Sequence, residues 1–362
     1  MNVTFLIGNG FDLNLGLATQ YSDFLKEYLV DHPDDNDEIK RFKEDIRHRD
    51  AEDQASGVAR LWSNAELAFG RYTDDVVKEG KNVKTYFERY DNFCRNMAKY
   101  LQKQEKRINV EGKGQSFIDS LQDFHTGLSE KQRLDVDKAE VRFTGGYTFN
   151  FIIYNYTEII DKIIDDIKRN PHQFGKRTVS QSTLDNSIGR IIHVHGTTTK
   201  DMVFGVNDES QIGNMKLFDG VSQHYLNSLI KQKTNQGNEA RIDEKTLEII
   251  NTSSCFYIYG MSMGATDAIW WERIIKRMQA QEAVHVYIYG YDAPKETLMQ
   301  RDLWLYSEDK KLQFLSFVKG ADGLMNRIHI VSANIFEAFR NTALPIPSND
   351  REDSSQEDNV AV

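Results

Sequence analysis

Cysteine is scarce in this chain of 362 residues, with only Cys94 and Cys255, far apart in sequence. Two thiols make no disulfide framework and cannot fill a four-cysteine zinc module. Proline is scarce as well, with five, which suits long uninterrupted helices. No run of about eighteen apolar residues occurs, so no membrane-spanning helix is expected. The first residues carry neither a basic segment nor a small-residue cleavage site, so they do not read as a secretion signal, and a cytoplasmic protein is expected. Positive charge is in deficit. The formal net charge is −10, of which Asn349 to Val362, with five acids and one arginine, supplies −4. The balance of the body argues against a non-specific grip on nucleic acid, which relies on Lys and Arg.

What is present is enough for a real core. Apolar residues make up 40% and charged residues 28%, which fits one large α/β domain or two beneath an extensive polar surface. The richest stretch comes first. The run Val3-Thr4-Phe5-Leu6-Ile7 stops at Gly8-Asn9-Gly10-Phe11-Asp12, and an amphipathic stretch follows. This predicts a strand, a glycine turn and a helix start, an arrangement in which backbone N–H groups can approach a phosphate. A dinucleotide fingerprint would have a third small residue where Leu13 stands. The same pattern also fits a first strand and tight turn with no nucleotide.

Residues 20 to 140 have helical spacing, as in Tyr21-Phe24-Leu25-Tyr28-Leu29 and Phe87-Tyr90-Phe93-Cys94-Met97. They predict a helical insertion over 25–140. Ala51 to Gly57 and Glu79 to Lys81 read as connections, and the acidic run Asp31 to Glu38 as a solvated turn and helix start. Strand signals return at Thr148 to Tyr154, Arg190 to Gly196, Met202 to Gly205, Ser254 to Tyr259, Val284 to Tyr289 and Ile328 to Val331. An isoleucine stripe from Ile159 to Ile167 marks a helix after the second strand, and a polar helical region spans about 209 to 250. Near-continuous apolar strands alternating with helices predict a mainly parallel sheet covered on both faces. The expected fold is α/β and Rossmann-like, built from 1–24 and 141–346, with a disordered acidic tail at 347–362.

Ligands of such sheets bind at the carboxyl ends of the strands. Those ends carry Gly8, Asn9, Gly10 and Asp12; Asn155 and Thr157; His193, His195 and Gly196; Gly205, Asn207 and Asp208; and Gly260, Ser262 and Asp267. Two positions apart on a strand, His193 and His195 are expected to share a face. His193 reads as a hydrogen-bonded core residue and His195, beside Gly196, as functional. An H-x-H pair with Asp208 as third ligand also suits a metal. Asn155 and Thr157 can cap the following helix, contact a ligand, or both. Ser262 and Asp267 can cap the helix that carries Trp270 and Trp271, which read as core.

Phe5 to Leu13 followed by Gly16-Leu17-Ala18-Thr19-Gln20-Tyr21-Ser22-Asp23-Phe24 resembles the opening signature of bacteriophage abortive-infection AbiH proteins. Tyr154-Asn155-Tyr156-Thr157, His193-Val194-His195-Gly196, Val203 to Asp208 and Tyr259-Gly260-Met261-Ser262 are similar in order and spacing, over about 1 to 275. The same order distantly resembles a sirtuin-type (SIR2-like) NAD site. That resemblance implies a glycine turn on the pyrophosphate and a covering loop that includes Thr19. It also implies Asn155 against the ribose and nicotinamide, His195 as the catalytic histidine, and the Gly260-Met261-Ser262 turn on the adenosine side. Two departures stand out. Thr157 replaces the aspartate that follows the asparagine in sirtuins, and two cysteines exclude the deacetylase zinc module.

The resemblance thus implies an antiphage protein that binds NAD or a related nucleotide and hydrolyses its nicotinamide–ribose bond. Asn155 and His195 would be catalytic. Gly8, Asn9, Gly10, Asp12, Thr19, Thr157, Gly205, Asn207, Gly260 and Ser262 would hold the ligand. Two other readings stand beside it. One is a non-catalytic nucleotide sensor that controls self-association or a defence partner protein. The other is a metal-dependent phosphodiesterase or nuclease using His193, His195 and Asp208.

Overall fold

The computed structural model describes residues 1–343 except 144, 180–181, 238–240 and 295–298. The acidic tail expected at 347–362 lies outside the described residues.

Val3 to Ile7 are wholly buried, which only a central strand of a two-sided sheet allows. They form β1 (Asn2–Ile7). β1 is flanked by β2 (Thr148–Ile153) on one side and by a strand near residue 255 on the other. Between β1 and β2 run helices α1 (Gly10–Asn14), α2 (Tyr21–Tyr28), α3 (Asp37–Ala55), α4 (Ala65–Lys78), α5 (Val83–Glu105), α6 (Gly114–Gln122) and α7 (Glu130–Glu140). After β2 come α8 (Ile159–Arg169), the hairpin β3 (Lys176–Val179) and β4 (Ser182–Asp185), and β5 (Ser187–His193). The polar region holds α9 (Gln223–Asn227), α10 (Lys231–Gln236) and α11 (Ile242–Thr252). Then follow β6 (Cys255–Tyr259), α12 (Ala268–Ala280), β7 (His285–Tyr289), α13 (Gln300–Leu315), β8 (Ile328–Val331) and α14 (Glu337–Thr342).

The main sheet runs β5-β2-β1-β6-β7-β8, and every neighbouring pair is parallel. The expected α/β Rossmann-like sheet is therefore present. Alternating side chains feed two cores. Phe5, Ile7, Phe151 and Tyr257 meet α6, α8 and α14 on one face. Leu6, Ile152, Phe256 and Ile258 meet α11, α12 and α13 on the other. A third core, rich in aromatic rings, lies among α2 to α5 and takes in Phe204, Leu217 and Leu229 from the later chain. The helices between β1 and β2 thus divide. Those from α2 to Leu101 build their own core, whereas Phe11 of α1 and Phe117, Ile118, Leu121 and Phe124 join the sheet.

Three local expectations are corrected. Met202 to Gly205 is not a strand; Val206 makes a lone parallel bridge to Ile230. The run is apolar because Phe204 fills the aromatic core of the helical block. Ala51 to Ala55 is helix, not connection. Alanines continue the helix, and the chain turns only at Gly57, where φ is +66°. Finally, β5 ends at His193, so strand alternation stops before His195 and the two histidines do not share a face.

Candidate functional site

After β1 the chain turns towards β2, whereas after β6 it turns the other way, towards β7. Neighbouring strands with diverging exits leave a crevice at their carboxyl ends. A cavity of about 570 Å³ occupies that place, roofed by Tyr21, Phe24, Glu66, Met97 and Leu101 from the helical block. Of the twelve residues expected at the site, ten line it: His195, Asn155, Gly8, Asn9, Gly10, Asp12, Thr19, Thr157, Gly260 and Ser262. Gly205 and Asn207 do not. Gly205 lets the chain pass Leu229, whose carbonyl oxygen would stand 2.2 Å from an added Cβ. That contact helps set the following Lys231. Asn207 bonds to Asp208 and the segment around Gln211.

The glycine turn packs directly against the turn that follows β6. The N–H groups of Gly8 and Gly10 donate to the carbonyls of Tyr259 and Gly260, each at 2.9 Å. Gly10 has no positive φ. An added Cβ would meet the Cα of Gly260 at 2.4 Å, so the missing side chain admits the neighbouring turn. α1 is five residues long, too short for a substantial dipole. Asn9 and Thr19 bind each other. The Thr19 hydroxyl donates to Asn9 Oδ1 at 2.6 Å, and Asn9 Nδ2 to the Thr19 carbonyl at 2.9 Å. They staple the covering loop to the first turn.

Asn155 and Thr157 do not cap α8, whose N-cap is Glu158. The Thr157 hydroxyl instead donates to Asp12 Oδ2 at 2.7 Å. Burial pushes the Asp12 carboxyl up to about 7, against the opposing pull of Thr157 and Asn155 beside it. Asp12 Oδ1 and both terminal atoms of the Asn155 amide are buried and complete no hydrogen bond among the described residues. Buried polar groups rarely stay unpaired, and each one asks for an explanation such as an absent ligand or water.

Asp267 sits at the N-cap of α12 but does not cap it. Its Oδ1 accepts from His195 Nε2 at 2.9 Å and from Lys231 Nζ at 3.1 Å. Lys231 also donates to Glu66 Oε2 at 2.8 Å, and the Tyr156 hydroxyl donates to Glu66 Oε1 at 2.7 Å. Burial alone would raise the Asp267 pKa, but Lys231 and then His195 outweigh it and hold the carboxylate well below its usual range. Lys231 would be lowered by burial, yet Asp267 and Glu66 keep it above its ordinary value and charged. With Nε2 donating to a carboxylate, His195 presents Nδ1 as an acceptor, and that atom has no partner among the described residues. A carboxylate-oriented imidazole of this kind can take a proton.

His193, in contrast, is half-buried, bonds to Asp161 on α8 at 2.7 Å, and lies outside the cavity. The histidine expected to lie deeper is therefore the more exposed of the two. Asp208 bonds to the Ser210 N–H and the Asn207 amide. His193, His195 and Asp208 do not converge, and no three such side chains gather for a metal among the described residues. Trp270 and Trp271 are core, as expected.

Sequence reasoning missed Glu66 and Lys231, named Tyr156 only within a motif, and placed Asp267 among the strand-end residues with capping as its alternative role. Glu66 and Lys231 are ordinary residues of polar helices, and nothing local marks them. No helix among the described residues is long and apolar enough to cross a membrane. No curated protein matches the chain. A family profile, described as bacteriophage abortive infection AbiH, matches residues 4–289. With that span matched, the chain belongs to the bacteriophage abortive infection AbiH family.

Proposed function

We propose that this cytoplasmic antiphage protein binds NAD or a related nucleotide in the cavity and hydrolyses its nicotinamide–ribose bond. The observation that carries the reading is the pairing of two buried groups with no partner among the described residues, the Asn155 amide and His195 Nδ1, in residues lining one cavity. A ribose ring with its hydroxyls and an attacking water supply the partners both groups lack.

The step balances with these residues alone. The C1′–N bond breaks and its electron pair returns to the ring nitrogen, which loses its positive charge. A water oxygen bonds to C1′, and its proton passes to His195 Nδ1 and then to solvent. Asn155 orients the ribose or the water. Charge on C1′ peaks in the oxocarbenium-like transition state, where nearby carboxylates are favourable. Asp267 keeps the imidazole oriented.

The test is to incubate pure protein with NAD, without added metal, and to follow nicotinamide and ADP-ribose by chromatography, with calorimetry in parallel. Release of both products supports hydrolysis. Binding without release shows a sensor instead. The absence of both binding and release refutes the proposal.

A further inference from the structure

Resting on the nucleotide reading above, we infer that the cavity recognises the N-ribosyl pyridinium end of its ligand and leaves the phosphates unheld. A phosphate-free nucleoside, nicotinamide riboside, is then a substrate of the same order as NAD.

Charge is the first ground. Among the described residues, the cavity lining contains three acids, Asp12, Glu66 and Asp267, and no lysine or arginine. The cation behind them, Lys231, is buried and already shared by Glu66 and Asp267 at 2.8 and 3.1 Å. Phosphate recognition ordinarily takes such cations, bidentate arginine above all, or a row of free backbone N–H groups.

The second ground is the turn that would supply those N–H groups. Gly8 and Gly10 donate to strand-end carbonyls, and the amides of Phe11 and Leu13 donate to the carbonyls of Gly8 and Asn9. Four of the turn's N–H groups are thus spent, and a dianionic pyrophosphate placed there would also meet neighbouring carboxylates.

The third ground is what stays open. Among the described residues, the buried atoms without partners in the lining are the Asn14 amide nitrogen, both ends of the Asn155 amide, the His195 imidazole nitrogen, a carboxyl oxygen of Asp12 and the Tyr154 hydroxyl. The acceptors among them, Asp12 Oδ1, Asn155 Oδ1 and His195 Nδ1, suit hydroxyls and a cation, and the donors are all neutral. At the rim Tyr291 is 63% exposed, and beside it Tyr289 stacks on Tyr259 with centroids 4.7 Å apart. Aromatic faces favour a pyridinium ring, which carries its charge in a plane.

The experiment compares NAD, nicotinamide mononucleotide and nicotinamide riboside as substrates of the full chain, by nicotinamide release. Calorimetry with nicotinamide riboside and with inorganic pyrophosphate runs alongside. We expect kcat/KM for the riboside within about tenfold of that for NAD, and no heat from pyrophosphate. Hydrolysis of NAD with the riboside slower by a hundredfold or more overturns the inference and leaves the hydrolase reading standing. If no compound releases nicotinamide, the hydrolase reading falls and binding decides. Riboside binding with pyrophosphate silent supports the charge preference. Pyrophosphate binding, or no binding by either, overturns it.

Discussion

Replacing Asp12 with asparagine should stabilise the protein, and increasingly so as pH rises. Asp12 is buried, with 1% of its surface exposed. Burial favours its protonated form and raises its pKa from 3.8 to about 7. The native state therefore holds this proton more tightly than the unfolded chain does. The stability that comes from protonation is complete below pH 3.8 and is lost as pH rises through about 7. At about 1.36 kcal/mol per pH unit, the loss amounts to about 4 kcal/mol above pH 8. Asp12→Asn cannot ionise and escapes it, while its amide oxygen still accepts from the Thr157 hydroxyl. Urea unfolding of both proteins at pH 5 and pH 8.5 gives the test. Taking the difference between variant and wild type cancels the other titrating groups. The advantage of the variant should grow by roughly 2 to 3 kcal/mol between the two pH values. An unchanged difference, or a variant less stable at pH 8.5, refutes a destabilising buried charge at this position. A protein that keeps such a carboxyl at its cavity wall sacrifices stability there, as functional sites commonly do.

Three further outcomes are expected. His195→Ala should cut nicotinamide release by roughly 10² to 10⁴-fold, whereas His193→Ala, whose ring pairs with Asp161 outside the cavity, should leave turnover within about twofold; steady-state rates of the two variants decide. Lys231→Met should destabilise by about 3 to 5 kcal/mol, because Glu66 and Asp267 are left as unpaired buried charges, and adding Glu66→Gln should recover part of the loss; denaturant midpoints of the single and double variants would show it, and additive losses would contradict the pairing. Gly10→Ala should fold poorly or not at all, since its Cβ would lie 2.4 Å from the Gly260 backbone, while Gly80→Ala, with open space around it, should cost only about 1 kcal/mol from its φ of +68°; soluble yield and melting temperature compare them.

Much of the architecture was legible because burial writes itself into composition. β1, β2, β6 and β7 are covered on both faces, so each must be a near-continuous apolar run, and each was read as one. The β3–β4 hairpin was not, because it is short, polar and outside the main sheet. Met202 to Gly205 misled for the converse reason: its apolar side chains are buried against helices rather than within a sheet.

The site divides in the same way. Sequence alone determined that polar residues cluster at strand ends, because a parallel sheet must place its carboxyl ends together, and ten of the twelve residues expected at the site, from those ends and the covering loop, do share a cavity. It could not show what each one does there. Gly8 and Gly10 look alike in sequence whether they admit a phosphate or the backbone of Gly260. The spacing of His193 and His195 holds only while the strand continues, and it stops between them. Glu66 and Lys231 meet across 165 positions, and no local pattern encodes a charge pair whose partners come from different helices. Tertiary structure alone decided which carboxylate orients His195, which cation neutralises that carboxylate, and which buried polar atoms remain unmet, because each depends on groups brought together only when the helical block closes over the sheet.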